Sequence, residues 1–431
     1  MNPESKMMTH GYVPEWSEHA VKCPLYLTST FTFDKAQDGK RFFELAYGKD
    51  EAKDGESMGL IYSRLNNPNL QILEERLALW EDADGAAVFE SGMSAISTVM
   101  LAYLKPGDRI LISNPVYGGT HHFTEHFLSS IGVEVNRFDA ETDLEKLHDS
   151  IMADPNSGNI KMVYTETPAN PTNAMIDLKQ LGRIKASLMA KHDHAVIFAV
   201  DNTYMGPVWQ KPMDFGADMS CYSATKYLSG HSDLIAGAVI GTAEAMVTVK
   251  TLRTFMGNMA SPHTAWLLTR SLETLSIRLA KQTANAQVVV QFLMTHPAIE
   301  KVFFPGLESM GKKQNRLYKQ QCTEPGAMIS FDVKGGEKGA FTVLDNLQLI
   351  KLAVSLGSNE SLAQHPYHMT HADMPDEEKE ALGLTDAMVR LSVGIEDPED
   401  IIQIYDRPWT IFKYICPAWK DLSACNHGKK C

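Results

Sequence analysis

The chain has 431 residues, 44% of them hydrophobic and 22% charged, an ordinary globular composition that excludes disorder over most of its length. At roughly 100 to 200 residues per domain, it holds two or three domains, or one large domain with a smaller companion. With 40 Lys and Arg against 53 Asp and Glu the net charge is −13, and no basic run is dense enough to track a phosphate backbone, so nucleic acid is not an expected partner.

The opening MNPESKMMTHGYVPEW lacks the apolar core of a signal peptide. No stretch reaches the ~18 to 20 apolar residues of a membrane span, and a cytoplasmic location is expected. Residues 1–66 are rich in aromatic, glycine and charged residues without a clear period and read as an extended arm, with a polar insertion at 47–59. The six cysteines, at 23, 221, 322, 416, 425 and 431, are too sparse for a disulfide framework and read as free thiols. The terminal Cys416, Cys425, His427 and Cys431 contain no C-x-x-C pair, so a loose tail is expected there rather than a metal site.

From residue 67 a strand-like run, Ala86–Phe89, leads into Ser91-Gly92-Met93-Ser94, where a helix is predicted to start near Gly92. Helix N-termini hold anions through unpaired N–H groups, and glycine lets an anion come close; the same residues also read as a plain cap. Further apolar runs at 109–113, 133–138, 161–165, 195–200, 219–223 and 234–240 alternate with helix-length segments. That pattern predicts an α/β fold, a mostly parallel sheet covered by helices, with sites gathered at the carboxyl ends of its strands.

The run Ala195–Asp201 ends a buried strand in a carboxylate, which serves as a helix cap or as the partner of a buried cation. Next comes Ser223-Ala-Thr225-Lys226 at the end of another apolar strand. By itself such a lysine also reads as a surface charge. Half-buried beside a sheet, it is pushed toward the neutral amine that captures an aldehyde, and Ser223 and Thr225, alternating with Ala224, can donate to a phosphate. A trapping amine and a facing acid together are what pyridoxal phosphate requires, because the acid keeps the ring nitrogen protonated and the ring an electron sink.

After about residue 276 the pattern changes to a long helix candidate, 277–295, and then to 328–333, 340–347 and 388–393, a smaller α+β module. Arg390 alternates with apolar 389, 391 and 393 and projects from the other face of its strand, as an edge-strand surface charge or as a ligand-binding group. Gly306–Lys313 has P-loop spacing with Lys313 where Ser or Thr is needed. His365, His368 and His371 are three apart, but Pro366 interrupts a helix face, so packing is expected there, not metal.

In this order the segments resemble the pyridoxal-phosphate enzymes of cysteine and methionine metabolism, the cystathionine γ-synthase, cystathionine γ-lyase and methionine γ-lyase family, from about Ser17 to Ile402. The resemblance implies a fold type I, aminotransferase-like large domain at 67–276, a C-terminal small domain at 277–431, and an arm at 1–66 that completes a neighbour's active site. It gives Lys226 as the lysine that carries the cofactor and as catalytic base. Asp201 is implied as partner of the ring nitrogen, and Gly92, Met93, Ser223 and Thr225 as phosphate ligands.

Tyr117, in Asn114-Pro-Val-Tyr117-Gly118-Gly119, is similar to the tyrosine that stacks on the ring and protonates the leaving group. Asn170 resembles the residue on the ring hydroxyl, and Tyr62 and Arg64 the pair that reaches a neighbouring subunit's phosphate. Arg390 and Ser355 resemble the groups that hold the substrate α-carboxylate. The resemblance further implies a homotetramer, a dimer of dimers with shared sites, catalysing γ-elimination or γ-replacement on a γ-substituted L-amino acid, a carbon–sulfur lyase activity of transsulfuration. Canavanine lyase and O-acylhomoserine sulfhydrylase are the alternatives. Where methionine γ-lyases usually carry Cys this chain has Gly119, so leaving-group identity stays open.

Overall fold

A computed structural model describes residues 1–53, 56 and 59–402; the Cys416, Cys425, His427 and Cys431 tail lies outside them. Seven strands, β1 (Gly85–Phe89), β2 (Arg109–Asn114), β3 (Glu134–Asp139), β4 (Ile160–Glu166), β5 (Ile197–Asp201), β6 (Met219–Ser223) and β7 (Gly237–Gly241), form one sheet in the order β1-β7-β6-β5-β4-β2-β3. Only β7 runs antiparallel to its neighbours, β1 and β6. Every other pairing is parallel, so all strands but β7 end on one side.

The sequence explains why both faces are covered. Ile110, Ile112, Met162, Tyr164, Ile197 and Ala199 join one apolar cluster. The residues between them, Leu111, Val163, Phe198 and Val200, join another with Leu181, Ile184 and Leu188 of the helix Leu178–His192. A period of two that is apolar on both sides is the mark of a sheet buried between helix layers. Phe198 is wholly buried in that second layer, and its truncation to Ala would cost about 3–5 kcal/mol.

A second sheet, β8 (Ile299–Phe303), β9 (Met328–Val333), β10 (Lys351–Leu352), β11 (Leu362–Gln364) and β12 (Met388–Ser392), has the order β10-β11-β12-β9-β8. The helix Leu275–Thr295 precedes it, and the stretch 340–347 lies mostly in the helix Gly336–Asp345. Trp80, Tyr222 and Leu268 from the large-sheet side share one apolar cluster with Ile329, Phe331 and Val389, so the second sheet is fixed against the first.

One expectation is corrected and the setting of further segments is fixed. The N-terminal residues are not uniformly extended: Ala36–Ala46 is a helix, started by the Lys35 N–H donating to Asp38 Oδ2 at 3.1 Å and fixed by Phe42 edge-on to Phe33. β12 is an interior strand, so Arg390 is no edge charge; it is 3% exposed. Gly306–Lys313 does lie between a strand, β8, and a helix, Gly311–Gln321, but Lys313 Nζ donates to the Ala140 carbonyl. The clustered histidines diverge: His365 stacks on His368, His368 meets Glu337 at 2.8 Å, and His371 is buried.

Candidate active site

The carboxyl ends of β4, β5 and β6 lie side by side and end in Glu166, Asp201 and Ser223. Glu166 and Asp201 are partners in register, and each is 5% exposed. Asp201 Oδ1 accepts the Thr203 N–H at 3.0 Å, and Thr203 Oγ1 accepts the Ser223 N–H at 2.9 Å. No cation among the described residues pairs with either acid, and burial raises the pKa of both carboxyls, Glu166 to about 8 with Asp201 adding to the effect. Buried acids without a cation are costly; they suit a site whose positive partner is supplied by a ligand.

Behind Ser223 the helix Gly92–Tyr103 begins, its Ser91 cap accepting the Ser94 N–H at 3.0 Å. A Cβ on Gly92 would stand 2.9 Å from Ser223 Cβ and 3.0 Å from its Cα. Only glycine lets this helix end, with its free N–H groups and positive dipole, approach the end of β6 so closely. Met93 follows in the first turn, in contact with Thr120. Thr225 corrects the alternation expected from the sequence, because β6 ends at Ser223 and the chain turns. The Thr225 hydroxyl accepts the Ala236 N–H at 3.0 Å.

Lys226 lies in that turn, its Nζ donating to Ser355 Oγ at 2.8 Å. Burial first, and then the Arg390 charge, lowers its pKa to about 8. Arg390 Nη2 donates to the Ser355 carbonyl at 2.7 Å, and Nη1 to Asn170 Oδ1 at 3.1 Å, which also accepts from Tyr204 Oη at 2.7 Å. The Gln364 amide, its carbonyl turned to the guanidinium because that group only donates, accepts from Nη1 at 3.1 Å and Nη2 at 3.2 Å. Arg390 is thus gripped by neutral oxygens alone, its charge left for an anion.

Tyr117 follows β2, its N–H donating to Glu166 Oε2 at 2.6 Å and its ring 48% exposed. A Cβ on Gly119 would come 2.7 Å from Tyr117 Cε1 and 2.9 Å from Met93 Sδ, so a side chain there would require those two side chains to shift.

Contacts therefore run unbroken from Gly92 through Ser223 and Thr203 to Asp201, and from Glu166 to Tyr117. They also join Lys226, Ser355, Arg390 and Asn170. Tyr62 and Arg64 stand apart. Both are exposed, and Arg64 Nη1 donates to the Thr254 carbonyl. Sequence reasoning missed Tyr204, Gln364 and Thr203 and gave Glu166 no role. Glu166 carried the same signal as Asp201, an acid ending a buried strand.

A buried, cation-free acid, a lysine whose burial favours the neutral amine and a glycine-started helix end fit pyridoxal phosphate, with nitrogen, aldehyde and phosphate each met by a suitable group. Residues 4–406 match the family model for Cys/Met metabolism PLP-dependent enzymes. The chain belongs to that family.

It is 42% identical over 395 residues to an L-methionine gamma-lyase of Porphyromonas gingivalis, covering 91% of this chain and 93% of that one. It is 37% identical over 399 residues to a human cystathionine gamma-lyase, covering 92% and 91%. Among solved structures, the cystathionine gamma synthase of Xanthomonas oryzae pv. oryzae, in complex with aminoacrylate and cysteine, matches with a TM-score of 0.83 at 32% identity, over 95% of this chain and 98% of that one. The family member described here is a PLP-dependent enzyme of γ-elimination or γ-replacement acting on a small amino-acid substrate. No helix among the described residues is long and apolar enough to cross a membrane.

Proposed function

We propose that this enzyme removes or replaces the γ-substituent of an L-amino acid as a methionine γ-lyase-like carbon–sulfur lyase. One observation carries the reading: Lys226 Nζ, Ser355 and the uncompensated Arg390 stand in one hydrogen-bonded line. Arg390, steadied by Asn170, Ser355 and Gln364, grips the α-carboxylate with its planar fork. Lys226 would hold the cofactor through its amine, and its free amine would take the Cα proton and then move a proton at Cβ.

Pyridoxal phosphate, when bound, supplies the electron sink that makes those protons removable. Asp201 would keep the ring nitrogen protonated, and Tyr117 would help hold the ring and hand a proton to the departing γ-atom. Gly92, Met93, Ser223 and Thr225 hold the phosphate, Ser223 and the helix end most directly. Elimination ends in a 2-oxo acid and ammonia; capture by a thiol gives replacement.

Tyr62 and Arg64, exposed on their own subunit, are proposed to reach a second copy's phosphate within a homotetramer, which gives the 1–66 arm its role. Mixing inactive Lys226→Ala and Arg64→Ala subunits tests this: recovered activity supports shared sites, and none refutes them. Cytoplasmic work is the accompanying reading, supported by the free thiols of Cys23, Cys221 and Cys322.

Gly119 favours a second reading of the leaving group. The cysteine usual in methionine γ-lyases is missing beside Tyr117, which supports γ-substituents other than methanethiol, such as an O-acyl group or the guanidinooxy group of canavanine. Incubation with methionine, cystathionine, O-acetylhomoserine and canavanine, with assay of 2-oxo acid, ammonia and released nucleophile, decides among them. Turnover that survives in Lys226→Ala would remove the whole assignment.

A further inference from the structure

Glu166 is an acid buried beside Asp201 that none of the roles above uses. Its two oxygens divide between two segments: Oε2 accepts the Tyr117 N–H at 2.6 Å, and Oε1 accepts the Asn170 N–H at 3.3 Å. Its own N–H donates to Ser113 Oγ at 3.0 Å, which ties the end of β4 to β2. Tyr117 comes from the loop after β2 and Asn170 from the loop after β4, so nothing in the sheet ladder sets their separation. A single carboxylate spans it. Both oxygens are taken up by backbone amides, and fixing a backbone amide fixes the direction of the side chain it carries.

We propose that Glu166 is a positioning residue, a carboxyl clasp that sets the spacing of Tyr117 and Asn170 at the cofactor site. The proposal rests on the cofactor reading above. Glutamine in its place keeps one acceptor but turns an NH2 group toward an amide N–H, so one of the two links is lost at nearly constant volume. Aspartate keeps the carboxyl group but falls one methylene short of spanning both amides.

The test uses the full-length holoenzyme and compares Glu166→Gln and Glu166→Asp with Ser113→Ala, which loosens the β2–β4 tie without touching the carboxylate. Apo-protein is titrated with pyridoxal phosphate, the circular dichroism of the visible cofactor band is recorded, and kcat and KM are separated. We expect affinity for pyridoxal phosphate to fall about 10-fold or more in both Glu166 variants. The visible dichroism should weaken as Tyr117 loses its set orientation, and kcat should fall more than KM rises. Ser113→Ala should keep the dichroic band.

Wild-type affinity and dichroism in the Glu166 variants, or the same loss in Ser113→Ala, overturns the clasp and leaves a packing role. Should Glu166→Gln fail to fold, Glu166→Asp alone decides by the same readouts. A wild-type chain that takes up no pyridoxal phosphate fails differently, overturning the cofactor reading and the clasp together.

Discussion

Lys226 Nζ reaches Ser355 Oγ across 2.8 Å, and Ser355 receives it with a backbone φ of +86°. A side chain other than glycine in that region costs about 1–3 kcal/mol. The cost is sustained because Ser355 serves two partners: its hydroxyl meets Lys226, and its carbonyl meets Arg390.

Replacing Ser355 separates these effects. Ser355→Ala and Ser355→Gly both remove the acceptor for Lys226 and should both lower kcat. Ser355→Gly also relieves the backbone, so it should be more stable than Ser355→Ala by about 1 kcal/mol. Urea unfolding midpoints measure the difference, and an alanine variant at least as stable as the glycine variant would remove the strain.

The lowered Lys226 pKa, about 8 against a reference of 10.5, has two consequences in cofactor-free protein. At pH 7 about a tenth of the amine is neutral, so capture of pyridoxal phosphate should accelerate with pH up to about 8 and then level. Between about pH 8 and 10.5 the unfolded chain binds the proton that the folded chain has released, so stability rises with pH through that window. The full cost below it is roughly 3 kcal/mol. Unfolding free energies of wild type and Lys226→Met should therefore converge above pH 8; a constant gap contradicts the buried amine.

His371 acts at the acid end. Burial, with Arg390 adding to it, lowers its pKa to about 4 from 6.5, and its Nδ1 lies 3.1 Å from Thr370 Oγ1. The folded chain keeps the ring neutral while the unfolded chain protonates it, so stability present above pH 6.5 is lost as pH falls toward 4. The loss amounts to roughly 3 kcal/mol. His371→Gln should flatten the fall in melting temperature between pH 6.5 and 4, and a slope as steep as wild type would assign acid lability to other groups.

Arg390→Lys keeps the charge and loses the fork. KM for the amino acid should rise 10- to 100-fold, about 1.4–2.8 kcal/mol, with kcat changed much less. An amine analogue without the α-carboxylate should be turned over equally poorly by both proteins. If the variant discriminated against that analogue as strongly as against the amino acid, carboxylate binding would belong elsewhere.

Much of this molecule was legible as sequence. The apolar runs 219–223 and 328–333 coincide with β6 and β9, because strands buried on both faces leave a continuous hydrophobic signature. Lys226 and Asp201 could be singled out because each follows or ends such a run with a group that is expensive to bury, and Gly92 because a helix is predicted to start there just after a strand. The alternation from Ser223 to Thr225 does not hold because it applies only inside a strand, and β6 ends two residues before Thr225. Arg390 was ambiguous because periodicity gives the face of a strand but not the strand's place in the sheet.

What the chain determines alone is local: the period of each element, the caps and turns, and the cost of every polar group set among apolar neighbours. What only the folded molecule decides is which of those costly groups meet. Asp201 faces Glu166, and Lys226 meets a serine 129 positions onward. Those meetings depend on strand order and register, which arise from packing over the whole chain and leave no periodic trace in any single segment of it.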